Sequence, residues 1–117
     1  MTTDPITRED LEMAAKAAGL VVVGEAEKRQ HWRHEGGLVV KNEFGGDSLW
    51  HPGEDDGDCA RMEAAVGIDI EWGAACVDVY AGGVPAGRAW FIDHANDKSR
   101  ARRYASVKLA AAVGRAM

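Results

Sequence analysis

Leu11, Ala14, Ala15 and Ala18 stand at the i, i+3, i+4, i+7 spacing of a helix with one buried stripe. The flanking residues punctuate the same segment: Thr7 caps it, Asp10 lies three residues on, Ile6 and Leu11 occupy the two staple positions, and Gly19 supplies a left-handed stop. The pattern then changes. LVVV (20–23), KRQHWRH and GLVVKNE, around a Glu35-Gly36-Gly37 turn, predict three strands, and the glycine-rich, proline-broken NEFGGDSLWHPG predicts a loop. Cys59, Met62 and Val66 form the stripe of a second helix that Gly67 ends. IDIEW (68–72), ACVDVY (75–80) and GRAWFIDH (87–94) are short, β-branched or aromatic, and predict a second three-strand meander.

From Asp97 onward a capping residue opens a proline-free segment with Ala101, Ala105, Leu109, Ala112, Val113 and Ala116 on one face and Arg100 and Arg103 pointing away from it. The order α-βββ-α-βββ-α implies one α+β domain over residues 1–117, a mostly antiparallel sheet of about six strands with helices packed on it.

HPGEDDGDCARME (51–63) concentrates carboxylates, and two readings compete for it. Aligned as a calcium loop with Gly57 sixth, it offers Glu54, Asp56 and Glu63 at ligand positions, but position one is Pro52, which has no side-chain oxygen. As a helix start it needs nothing more: Asp55 caps, and Asp56 and Asp58 lie in the first turn, where the helix dipole favours anions.

The same stretch, WHPGEDDGDCARMEAAVGI, resembles the Trp-x-Pro-x-x-Asp-Asp-Gly-Asp segment, Arg-containing helix and Gly-Ile of the phage ABA sandwich domain family. Trp50, Pro52, Asp55, Asp56, Gly57, Asp58, Arg61, Gly67 and Ile68 fall on that pattern. LEMAAKAAG (11–19) is similar to the family's first helix and RRYASVKLAAAVG (102–114) to its last, while residues 24–49 and Cys59-Ala60 depart from it. The resemblance implies a sheet sandwiched between helix layers and a phage or prophage origin. It implies no known activity and no catalytic residue.

Composition narrows the class. With 46% apolar and 28% charged residues, the chain has a globular balance, and no apolar run approaches the length of a membrane span. The N-terminal MTTDPITRED has neither a basic nor an apolar leader region, so a cytoplasmic location in the host cell is expected. Cys59 and Cys76 lack the spacing of a zinc site or a disulfide framework and read as buried thiols. The net charge of −5 is unevenly spread: residues 97–117 carry six Lys or Arg against Asp97, or +5, and the preceding residues carry eight basic against eighteen acidic, or −10. A basic tail on an acidic body predicts either a nucleic-acid arm or a segment that packs onto that body.

Candidate chemistry is sparse. His31 and His34, three apart on a predicted strand, face opposite sides, while His51 and His94 stand alone. No phosphate loop, dinucleotide fingerprint or nucleophile elbow is present, so no catalytic residue, metal site or cofactor is expected.

The second meander holds the stronger oddity. A two-residue turn at Gly73-Ala74 pairs Ile70 with Val77 and Ile68 with Val79 on one face, and sets Asp69 opposite Asp78 with Glu71 beside them on the other. Solvation, neutralisation by Arg88 or the basic last helix, or a divalent cation would each relieve the repulsion. An exposed acidic face of this kind also suits a basic partner. The sequence thus favours a non-enzymatic accessory protein that binds an unidentified host or phage protein, with Asp69, Glu71 and Asp78 as its interaction face. Nucleic-acid binding through Arg100 and Arg103 is the alternative, and a divalent-metal enzyme built on the acidic residues a distant one.

Overall fold

The computed structural model describes residues 4–25, 37–41 and 44–117. Three helices, α1 (Arg8–Ala17), α2 (Asp56–Val66) and α3 (Lys98–Ala116), alternate with strands β1 (Val22–Glu25), β2 (Leu38–Lys41) and β3 (Asp47–Trp50), then β4 (Asp69–Trp72), β5 (Cys76–Tyr80) and β6 (Gly87–Trp90). Among the described residues the order of element types matches α-βββ-α-βββ-α, but the third strand of the first meander is one the sequence did not predict. The strands form two antiparallel three-stranded sheets, β1-β2-β3 and β4-β5-β6, rather than one sheet of six. The intervening α2 separates the two meanders, and each buries one face in a shared core: Leu38, Val40 and Trp50 from the first, Val77, Val79 and Ala89 from the second. The second sheet is covered on one face only, and Asp69, Glu71 and Arg88 on its outer face are exposed.

Three strand assignments change, the first being that the predicted strand GRAWFIDH (87–94) ends at Trp90 and Phe91–His94 form a short 3-10 helix. β3 lies inside the stretch predicted as a loop, paired with β2 from Leu38↔Trp50 to Lys41↔Asp47. Gly45, at φ +81°, confines the reversal to the start of that stretch, and an ion pair of 2.8 Å between Lys41 and Asp47 closes the pairing. β1 begins two residues later than LVVV predicted, with Val21 and Val23 exposed. The strand predicted over KRQHWRH, with His31 and His34, lies outside the described residues.

Local chemistry explains each helix. The Thr7 hydroxyl accepts from Asp10 N–H at 3.1 Å and the Asp10 carboxylate accepts from Thr7 N–H at 3.0 Å, a complete capping box for α1. Asp55 caps α2 by accepting from Asp58 N–H at 2.7 Å, and Gly67, at φ +84°, ends it. Asp97 caps α3 by accepting from Arg100 N–H at 3.1 Å.

The single stripe predicted for α3 holds at Ala101, Ala105 and Leu109 and then fails: Ala112 and Val113 are half-buried and Ala116 is exposed, whereas Ser106, Val107, Ala110, Ala111 and Gly114 are buried. The helix is enclosed on several sides, by α1, α2 and the β5–β6 face, so no one stripe describes it. Its small residues permit this. At Gly114 a Cβ atom would stand 2.0 Å from the Met13 carbonyl oxygen, so α1 and α3 touch backbone to backbone there.

Ion pairs lock the helical layer. Asp10, 4% exposed, accepts from Lys108 Nζ at 2.7 Å and from Arg115 Nη2 at 2.8 Å, tying α1 to α3. Glu63, also buried, accepts from both Nε and Nη2 of Arg102 and from Ser106 Oγ at 2.6 Å, tying α2 to α3. Lys108 and Arg115 do not supply the neutralisation of the acidic sheet that the basic last helix offered. They reach α1 instead, because Asp10 sits on the helix that lies directly against α3.

Burial alone would raise the Asp10 carboxyl, but hydrogen bonds from Lys108, from the Thr7 backbone and from Arg115 outweigh it and hold the group well below the usual carboxylate range. A depressed carboxyl contributes stability that is present above its unfolded value, near pH 4, and is lost as pH falls toward its folded one. Asp10→Asn is therefore expected to cost about 3 kcal/mol at neutral pH, the scale of a broken buried pair. Urea titrations across pH should show that difference constant above about pH 5 and shrinking below about pH 4.

Candidate functional site

The outer face of β4–β6 gathers the predicted acidic residues. Hydrogen bonding places the turn at Ala74-Ala75, since Gly73 N–H donates to the Cys76 carbonyl at 2.8 Å. The register is therefore shifted by two residues from the predicted one: Asp69 faces Tyr80, Ile70 faces Val79 and Glu71 faces Asp78. A shift of two preserves every residue's face, so the apolar side still lies on α3 and the acidic side still points outward. What changes is the partner of each charge.

Asp78 faces Arg88 across β5–β6, and the two form a bidentate pair, Nε to Oδ1 at 2.6 Å and Nη2 to Oδ2 at 2.9 Å. Hydrogen bonding from Arg88 holds the Asp78 carboxyl below its ordinary range. Of the three ways to relieve the repulsion, neutralisation by Arg88 serves Asp78, while Asp69 and Glu71 are exposed to solvent. Three carboxylates against one guanidinium leave this face with a net charge of −2.

Aromatic residues share the face. Tyr80 is 38% exposed and Trp90 40% exposed, and the Arg88 guanidinium lies 5.2 Å from the Trp90 ring centre. The Tyr80 hydroxyl is pushed up by burial and then by the charges of Glu71 and Asp78. The alternation CVDVY and GRAW carries Tyr80 and Trp90 in the same outward phase as Asp78 and Arg88, so period two could have assigned them to this surface.

The carboxylate-rich motif is used up by the fold. Trp50 and Pro52 are buried, and the Asp58 carboxylate accepts from His51 N–H at 3.0 Å and from Arg61 Nη2 at 2.7 Å. Asp56 accepts from Arg103 Nη1 at 2.7 Å, and the Gly53 carbonyl accepts from Arg103 Nε at 3.1 Å. A Cβ at Gly57 would stand 3.2 Å from the Asp55 carboxylate, which is one reason the position is small. Among the described residues no three His, Cys, Asp or Glu side chains converge as a metal-binding group. The Cys59 thiol is buried, and burial, then the charge of Glu63, pushes it up to about 12, so it stays protonated and unreactive.

The two candidate basic residues separate. Arg103, placed by the sequence among the outward residues, is folded onto the start of α2 through Asp56 and Gly53, with only 13% of its side chain exposed. Arg100 is exposed.

No family model, curated protein or solved structure matches the chain. No helix among the described residues is long and apolar enough to cross a membrane.

If the motif acts as a helix start, Asp55→Ala should lower stability by about 1 kcal/mol, the worth of one cap, in a urea unfolding titration. An unchanged midpoint would mean that the cap contributes nothing.

Proposed function

We propose that this chain is a non-enzymatic binding domain whose β4–β6 outer face engages a basic segment of a protein partner. The observation that carries this reading is the face itself: Asp69 and Glu71 are exposed and without an ion pair among the described residues, beside half-exposed Tyr80 and Trp90. Lysine and arginine side chains are complementary to both components, pairing with the carboxylates and lying over the rings. The net charge of the chain, −5, adds long-range attraction for such a segment.

A second copy of the chain is a poorer occupant, because two such faces would bring like charges together. Nucleic acid is poorer still, since Arg103 is already engaged by Asp56 and Gly53 and the adjoining body repels phosphate. The resemblance of the Trp50–Arg61 motif to the phage ABA sandwich domain extends the proposal to a phage or prophage accessory protein acting on a host or phage protein in the host cytoplasm.

Titration of the 15N-labelled protein with an arginine- and lysine-rich peptide tests the reading. Saturable shifts confined to β4–β6 are expected, and the Asp69→Lys/Glu71→Lys variant should weaken binding at least about tenfold, or 1.4 kcal/mol, with its thermal midpoint retained. Equal binding by that variant would refute the assignment of this face.

A further inference from the structure

β4 is an edge strand. It pairs with β5 alone in the order β4-β5-β6, and among the described residues no backbone group of Asp69–Trp72 is bonded outside that pairing. The hairpin decides which of its groups are open. Gly73 N–H donates to the Cys76 carbonyl, so these two residues face each other as a hydrogen-bonded pair, and antiparallel pairs alternate between bonded and non-bonded from there. Glu71↔Asp78 and Asp69↔Tyr80 are then bonded pairs, and Trp72↔Val77 and Ile70↔Val79 are not. The N–H and C=O groups of Ile70 and Trp72 therefore point away from β5, toward the open edge.

The same alternation sorts the side chains along that edge. Asp69 and Glu71 lie on the outer face, exposed and without an ion pair among the described residues. Ile70 and Trp72 lie on the opposite face, Ile70 half-buried against the core and Trp72 52% exposed, with its ring centre 6.2 Å from that of buried Phe91. Carboxylate, aliphatic, carboxylate and aromatic thus follow one another, with the donors and acceptors of Ile70 and Trp72 available beside them.

An edge with unpaired backbone groups is a template for a further strand. A second copy of β4 fits it poorly, because antiparallel pairing would set Asp69 and Glu71 against the same carboxylates of the copy. The opposite edge of the sheet does not offer the same surface: β6 carries Arg88, already paired with Asp78, and no carboxylate. A strand with cations on one face matches β4 and is repelled at β6.

We infer that the basic segment binds by adding to β4 as a fourth, antiparallel strand, with Lys or Arg at every second position opposite Asp69 and Glu71 and apolar residues between them against Ile70 and Trp72. Antiparallel addition continues the pattern of the sheet and is the more stable pairing. Residues directly opposite on one face stand about 5 Å apart, within reach of an ion pair, whereas a run of consecutive cations would turn every second charge onto the apolar face. The inference rests on the reading of this face as the surface for a basic segment, and adds to it the mode of binding and the spacing of the partner's charges.

A blocked hexapeptide alternating valine and lysine is the probe, titrated into the 15N-labelled full chain. Saturable shifts at the Ile70 and Trp72 amides are expected, with cross-strand proton contacts from β4 to the peptide backbone. Two N-methylated isomers separate backbone pairing from charge. Methylation of the valine N–H groups, which face β4, should weaken binding at least about tenfold, and methylation of the lysine N–H groups, which face away, should leave it within about twofold. A peptide of the same composition with its valines and lysines in two blocks should also bind at least about tenfold more weakly. Equal binding by the two isomers or by the block peptide would overturn strand addition, and loss of that binding in Asp69→Lys/Glu71→Lys would still leave the acidic face as the docking surface. Binding of every peptide unchanged by Asp69→Lys/Glu71→Lys would overturn both readings.

Discussion

Pairing between the basic side chains of α3 and the carboxylates of α1 and α2 is the interaction on which the arrangement of the molecule rests. Arg102 meets buried Glu63, Arg103 meets Asp56, and Lys108 and Arg115 converge on buried Asp10. A helix faced with alanine and glycine offers close approach but little shape to distinguish one axial position from the next. Charges fixed at four points along α3 supply that distinction. Ion pairs out of water add little net stability over an apolar contact, yet leaving one partner buried and unmatched is expensive, so misaligned packings are penalised.

This pairing also accounts for the uneven charge of the chain. The basic last segment is the complement of the acidic body and is consumed by docking onto it. The N-terminal residues are held by the same helix, with Tyr104 Oη donating to the Asp4 carbonyl at 2.5 Å and Lys108 Nζ to the Pro5 carbonyl at 2.9 Å. Asp69 and Glu71 on the outer sheet face are left without such a partner among the described residues.

Local rules made much of this legible. The capping box at Thr7 and Asp10, the caps at Asp55 and Asp97 and the stop at Gly67 are interactions within a few residues, and each is present as the sequence implies. Strand faces were also readable, because a register error of two leaves the faces unchanged. β3 was hidden because glycine-rich composition marks a turn without marking where the turn ends. The burial of Glu63 could not be read from α2, since its partners Arg102 and Ser106 lie far along the chain and only the packing of two helices joins them.

A double-mutant cycle on Glu63 and Arg102 tests the central role of this pairing most directly. Stabilities of the wild type, Glu63→Gln, Arg102→Gln and the double variant would be measured by urea unfolding. Each single change is expected to destabilise strongly and the double change by much less than their sum, a coupling of about 2 kcal/mol or more. Additivity within about 0.5 kcal/mol would contradict the account, because it would show that α2 is seated on α3 without help from the pair.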